Sequence, residues 1–178
     1  MSEQKVLIVV DMQNDFIDGA LGTREAQAIV PAAADRIRAY RDAGLPVIAT
    51  LDTHGEDYMD TREGKWLPVP HCVKGTHGWR LRAEIAALLE GCRLVEKPTF
   101  GSVRLPSIVS EIAQGADHLS IELIGLCTDI CVVSNALLLK ASFPEANVSV
   151  AAACCAGVTP EKHEAALETM RSCQIDVI

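Results

Sequence analysis

The chain has 178 residues, 49% of them hydrophobic, with 24 acids against 16 bases and a formal net charge of −8. That length and apolar content suit a single domain, residues 1–178, with a substantial core, and exclude a disordered chain. An acidic chain without a basic cluster is a poor partner for nucleic acid or an anionic membrane, and no apolar run approaches the length of a membrane span.

In chain order, KVLIVVD is a short β-branched run ending in Asp11, the pattern of a strand covered on both faces. Pro31 opens PAAADRIRAYRDAG, whose apolar residues recur at helical spacing and whose stop is Gly44. LPVIATLD is a second strand, and residues 53–78, rich in Gly, Pro, His and acids, form a long irregular stretch. WRLRAEIAALLEG predicts a helix, RLVEK a third strand, LPSIVSEIAQG a helix and HLSIELIG a fourth strand. DICVVSNALLLKASF reads as one helix and NVSVAAAC as a fifth strand. TPEKHEAALETMRSC is a helix begun by a Thr cap and Pro160, and IDVI is a closing strand. This alternation predicts an α/β fold, a doubly wound, mainly parallel six-stranded sheet in three α/β/α layers, Rossmann-like, with right-handed crossovers.

KVLIVV is too short for a secretory core and is followed at once by an acid, so it does not read as a signal peptide. The seven cysteines (72, 92, 127, 131, 154, 155 and 173) are odd in number and scattered through apolar segments. Such thiols are expected to be reduced in a soluble cytoplasmic protein.

Ligands of doubly wound sheets bind beyond the carboxyl ends of the strands, where strand order reverses. The residues standing there are Asp11, then Asp52 and His54, then Lys97, and finally GLCTDICVVSNA, residues 125–136. Cys131 falls in the opening turn of a predicted helix, with Thr128 or Asp129 as its cap, where free amides and the helix dipole favour a thiolate. The same amides could hold the oxyanion formed when a thiolate attacks a carbonyl. From position alone, two ordinary buried thiols fit as well. A redox couple is disfavoured because the C-x-x-C spacing is absent, and a thiolate metal clamp lacks further ligands nearby. Asp11 and Lys97 fit as a proton acceptor and its partner, since opposite charges in a dry cleft offset one another.

Asp52 and His54, two apart at a strand end, leave on the same side, and Glu63 and His71 can fold back from the loop. Two histidines and carboxylates without thiolate suit Zn, Fe or Mn in an open site. Asp57, Asp60 and Cys72 compete as ligands, whereas His77, His118 and His163 read as surface or loop histidines.

Taken together, VLIVVDMQNDF, the D-x-H with its later PVPHCVKGTHGW, VEKPTFGS and GLCTDICV resemble the isochorismatase-like cysteine hydrolases, most closely the nicotinamidase branch. The likeness runs from Val6 to the final helix, with the motifs in the family's order. It implies a catalytic triad of Asp11, Lys97 and Cys131, with Cys131 as nucleophile. It also implies a non-prolyl cis peptide at Leu126–Cys127 that aims the Cys127 and Cys131 amides into an oxyanion hole. A metal, zinc first with iron or manganese as alternatives, would sit on Asp52, His54, His71 and Glu63 and bind a pyridine nitrogen. Phe16 matches the aromatic that stacks on the substrate ring, and Leu126 lines the same pocket. Many relatives place an aromatic three residues before the second metal histidine; here that position is Pro68, and Trp66, five before, is the candidate for the packing role.

The activity so implied is hydrolysis of a small carboxamide, nicotinamide to nicotinate and ammonia, through a Cys131 thioester. The resemblance also implies a homo-oligomer, a dimer or tetramer. Another amide, ureido, carbamoyl or isochorismatase-type hydrolase would share the triad. A non-catalytic metal or redox binding module is the alternative of a different class. Dinucleotide binding is disfavoured, because DMQNDF stands where a G-x-G-x-x-G would follow the first strand.

Overall fold

Val6 to Val10 are wholly buried, as a strand covered on both faces requires. The computed structural model describes residues 3–114 and 116–178, and one six-stranded sheet runs through them. Its strands are β1 (Glu3–Val10), β2 (Val47–Asp52), β3 (Arg93–Lys97), β4 (His118–Leu126), β5 (Asn147–Ala156) and β6 (Asp176–Val177). Their order is β3-β2-β1-β4-β5-β6, and every pairing is parallel.

The helices are α1 (Asn14–Ile17), α2 (Arg24–Ala28), α3 (Val30–Asp42), α4 (Arg62–Trp66), α5 (Ala83–Leu88), α6 (Leu105–Ile112), α7 (Val133–Ser142) and α8 (Pro160–Ser172). Alternation along β1 separates two cores. Leu7 and Val9 join the side chains of α3 and α5 on one face, while Val6, Ile8 and Val10 join those of α6, α7 and α8 on the other. The three-layer, doubly wound architecture is therefore present. The order reverses between β1 and β4, which opens a crevice beyond their carboxyl ends.

Gly125 shapes that crevice. Its φ is +119°, and a Cβ there would lie 2.1 Å from the Val10 carbonyl oxygen, so only glycine lets β4 approach β1 this closely. The β4–β5 register shifts at the same place, between Leu123 and Gly125.

Three local expectations are corrected. Residues 79–82 are not helical. Their backbone is taken by the segment after β1, with Asn14 N–H donating to the Arg80 carbonyl, Arg82 N–H to the Met12 carbonyl, and Gln13 bridging Leu81, so α5 begins at Ala83. The helix after β4 is not continuous. Its first turn, Thr128–Val132, is a wide π turn in which Val132 N–H bonds the Cys127 carbonyl at 3.0 Å. Finally, the closing strand keeps only Asp176 and Val177.

Candidate active site

Asp11 follows β1 directly and carries φ +47°, a left-handed conformation that costs a non-glycine residue about 1–2 kcal/mol. The turn drops its carboxylate into the crevice, where Oδ1 accepts the Thr50 hydroxyl at 2.6 Å. Its Oδ2 meets the Lys97 ammonium at 2.6 Å and has no other hydrogen-bond partner among the described residues. Lys97 ends β3 and pairs in register with Asp52 at the end of β2. The ammonium lies 3.4 Å from Cys131 Sγ, 3.4 Å from Asp52 Oδ1 and 3.1 Å from the Thr99 carbonyl. The structure thus brings Asp11, Lys97 and Cys131 together from three separate segments, at exposures of 0%, 1% and 4%.

Burial pushes the Asp11 carboxyl above the usual carboxylate range, and the Lys97 charge offsets only part of that. Burial works against the Lys97 charge, but Asp11, Cys131 and Asp52 together hold its pKa above the ordinary lysine value. Burial, reinforced by Asp11, pushes the Cys131 thiol well up despite Lys97. Burial and the Asp11 charge therefore favour the protonated form of the Cys131 thiol beside the Asp11–Lys97 pair. This desolvation opposes the preference for a thiolate that free amides and a helix dipole would give.

The Leu126–Cys127 peptide is cis, as the resemblance implied. Neither Thr128 nor Asp129 caps the turn. Thr128 Oγ1 bonds His163 Nδ1 at 2.7 Å, and Asp129 Oδ1 accepts the Val158 amide at 2.9 Å. His163, expected to be a surface or loop histidine, is half-buried within α8 and anchors this turn to that helix.

Beside the ion pair, Asp52, His54 and His71 are buried with ligand atoms within 4.8 Å of one another, a group able to hold a metal ion. Asp52 Oδ2 lies 3.0 Å from His54 Nε2 and 3.5 Å from His71 Nε2. Glu63 Oε1 flanks both histidines, at 3.8 and 3.7 Å. His71 Nδ1 bonds the Val69 carbonyl at 2.8 Å, which fixes the ring with Nε2 turned inward, as a metal ligand needs. Hydrogen bonds from the histidines and the Lys97 charge overcome burial and hold Asp52 well below the usual carboxylate range. Burial would lower His71, yet its bonds to Asp52 and Val69 raise it. Burial raises Glu63. Two imidazoles and two carboxylates facing one ammonium leave excess negative charge that a divalent cation would balance.

The loop reaches this position through backbone contacts. Residues 72–74 pair beside His54, with His54 N–H donating to the Cys72 carbonyl and Lys74 N–H to the His54 carbonyl. Gly64 packs α4 onto the Tyr58 carbonyl, 2.0 Å from where a Cβ would stand, and so delivers Glu63.

Phe16 is buried with its ring 5.6 Å from that of His71, and Leu126 is fully buried beneath the crevice. Trp66 does not join them. It ends α4 and is 88% exposed, because Tyr58 already fills the space beside the histidines, 4.8 and 5.0 Å from their rings, and its hydroxyl donates to the Leu67 carbonyl. Asp57 and Asp60 are exposed, and Cys72 is buried in the core. Sequence reasoning also missed two clamps. Gln13 bonds both the amide and the carbonyl of Asp52 at 2.8 Å, and Asp15 accepts the Cys72 amide next to His71 at 2.8 Å. Both lie in the DMQNDF segment, and that was their only signal.

A cleft of about 320 Å³ near the opposite ends of the strands is lined by Arg36, Tyr40 and Glu122, and its buried carboxylate is already paired with the other two. No helix among the described residues is long and apolar enough to cross a membrane.

The segments after β1 and β4 and the end of β3 bring an acid, a cysteine and a lysine to the point where strand order reverses. The isochorismatase domain family matches residues 5–178, and the chain belongs to that family. The nicotinamidase/pyrazinamidase of Mycobacterium tuberculosis (strain ATCC 25618 / H37Rv) is 28% identical over 187 residues, covering 98% of each chain. The pyrazinamidase of Pyrococcus horikoshii, solved in complex with zinc, is 28% identical with a TM-score of 0.81 over 98% of both chains. The N-carbamoylsarcosine amidase of Thermoplasma acidophilum is 29% identical, with a TM-score of 0.75 over 98% of this chain and 95% of its own.

Proposed function

We propose that this protein is a cysteine-dependent amidohydrolase that converts nicotinamide and water to nicotinate and ammonia. The observation that carries the proposal is the convergence of Asp11 and Cys131 on one buried ammonium, 2.6 and 3.4 Å away, beside the Asp52/His54/His71 group.

Asp11 Oδ2, open to a further hydrogen bond and made more basic by burial, takes the Cys131 thiol proton. The sulfur attacks the carboxamide carbon, and Lys97 steadies the charges that develop on both partners. The Cys127 and Cys131 amides hold the tetrahedral oxyanion. The carbon–nitrogen bond breaks as Asp11 returns its proton to the leaving nitrogen, so ammonia departs and a thioester remains. Water then gives a proton to Asp11 as it attacks the thioester. Collapse frees the acid, and the sulfur regains its proton. A metal held by Asp52, His54 and His71, with Glu63 alongside, would supply a Lewis-acid contact for a pyridine nitrogen; zinc fits this donor set. Phe16, beside His71, would stack on the ring.

A carbamoyl or other small-amide hydrolase is the second reading, favoured by the similarity to N-carbamoylsarcosine amidase. Ammonia release from nicotinamide, pyrazinamide, benzamide and N-carbamoylsarcosine separates the two. Nicotinamide and pyrazinamide should turn over well above benzamide, which lacks the ring nitrogen. Preference for N-carbamoylsarcosine would reverse the assignment.

A further inference from the structure

Asn135 is fully buried one turn after Cys131, in a segment whose Val132, Ala136 and Leu139 belong to the apolar core. Asparagine is a modest helix former, and a buried amide is costly unless its polar atoms are satisfied. Here they are. Nδ2 donates to the Cys131 carbonyl at 2.8 Å and to the Phe100 carbonyl at 3.2 Å, and Oδ1 accepts from the Ser102 amide at 2.8 Å. One side chain thus joins the nucleophile's own backbone to the loop that follows Lys97.

That loop also holds the cation. Lys97 Nζ donates to the Thr99 carbonyl at 3.1 Å, and the Thr99 hydroxyl donates to the Gly101 carbonyl at 2.8 Å. Gly101 in turn packs against Ser134, next to Asn135. The path from the Cys131 carbonyl through Asn135, Ser102, Gly101, Thr99 and Lys97 closes on Cys131 Sγ, 3.4 Å from the ammonium. Neither the helix nor the core needs an amide at this position; the circuit does.

We infer that Asn135 is a positioning residue that sets the placement of the Cys131 sulfur against the Lys97 ammonium, and so the reactivity of the thiol. This rests on the roles proposed above for Cys131 and Lys97, so the test includes a reading that needs no substrate. Cys131 alkylation by iodoacetamide is followed across pH by peptide mass spectrometry in the wild type, Asn135→Ala and Asn135→Ser, beside kcat and KM for nicotinamide. Serine can bond the carbonyl four residues back and so restores one of the three bonds.

For Asn135→Ala, kcat should fall on the order of 100-fold, the scale of a 1 Å misplacement, with KM nearly unchanged and the alkylation profile displaced along the pH axis. Asn135→Ser should fall between Asn135→Ala and the wild type. If Asn135→Ala does not fold, Asn135→Ser alone is read by the same criteria. A folded variant that melts earlier but keeps the wild-type alkylation profile and kcat overturns the inference. If the wild type does not hydrolyse nicotinamide while the variants still shift the profile, the positioning role stands and the substrate assignment fails.

Discussion

One carboxylate oxygen of Asp52 lies 3.4 Å from the Lys97 ammonium. Its other oxygen faces His54 and His71, so a single side chain joins the buried ion pair to the candidate metal group. Charge on one side is therefore felt on the other.

The first consequence is a pH-dependent metal affinity. His71 has a raised pKa without a metal, so an incoming cation must displace a proton there. Zinc affinity, measured by titration calorimetry in buffers of different ionisation enthalpy, should rise with pH through the raised His71 pKa and level off above it, with protons released. His71→Ala should lower affinity by at least 10- to 100-fold. Binding independent of pH and unaffected by His71→Ala would remove the metal centre.

Lys97→Met removes the cation from a carboxylate that is 0% exposed, and breaking a buried pair in this way costs about 3–5 kcal/mol. The loss should depend on pH. The folded-state pKa of Asp11 is already raised, and without Lys97 it rises further, so the folded chain gains relative stability once Asp11 is protonated. Denaturant melts should show the largest deficit at neutral pH and a smaller one below the raised Asp11 pKa. A deficit constant across pH would mean that Asp11 is not the orphaned charge.

Gly125→Ala places a methyl group 2.1 Å from the Val10 carbonyl at a φ of +119°. β4 must then move away from β1, carrying the Cys127–Cys131 turn with it. A stability loss of roughly 3 kcal/mol and a fall in rate of at least 10-fold are expected from thermal melts and steady-state kinetics.

Tyr58 and Trp66 should respond in opposite ways. Trp66→Ala alters a side chain that is 88% exposed and should change stability by less than about 0.5 kcal/mol. Tyr58→Ala empties the space beside both histidines and should cost about 3–5 kcal/mol and weaken metal binding. Equal effects would contradict the packing described here.

Much of this was legible in the sequence. β1 announced itself because a strand covered on both faces must be apolar throughout, and the alternation of strand and helix implied the sheet. Asp11, Asp52, Lys97 and Cys131 could be picked out because topology alone puts strand ends at one edge. What stayed hidden was set by contacts distant in sequence. WRLRAEIAALLEG has a helical pattern, but its first residues surrender their backbone to contacts with Met12 and Asn14 that no local period records. Trp66 and Tyr58 are both aromatics of one loop, and only the packing of α4 on the Tyr58 carbonyl decides which ring turns inward. His163 looked superficial because its partner, Thr128, is 35 residues away.

The central claim is tested most directly by acid-quenching the protein during nicotinamide turnover and mapping any adduct by mass spectrometry. A pyridine-3-carbonyl group bound as a thioester to Cys131, absent from Cys131→Ala along with all turnover, is the predicted result. Undiminished turnover by Cys131→Ala, or an acyl group on any other residue, would contradict it.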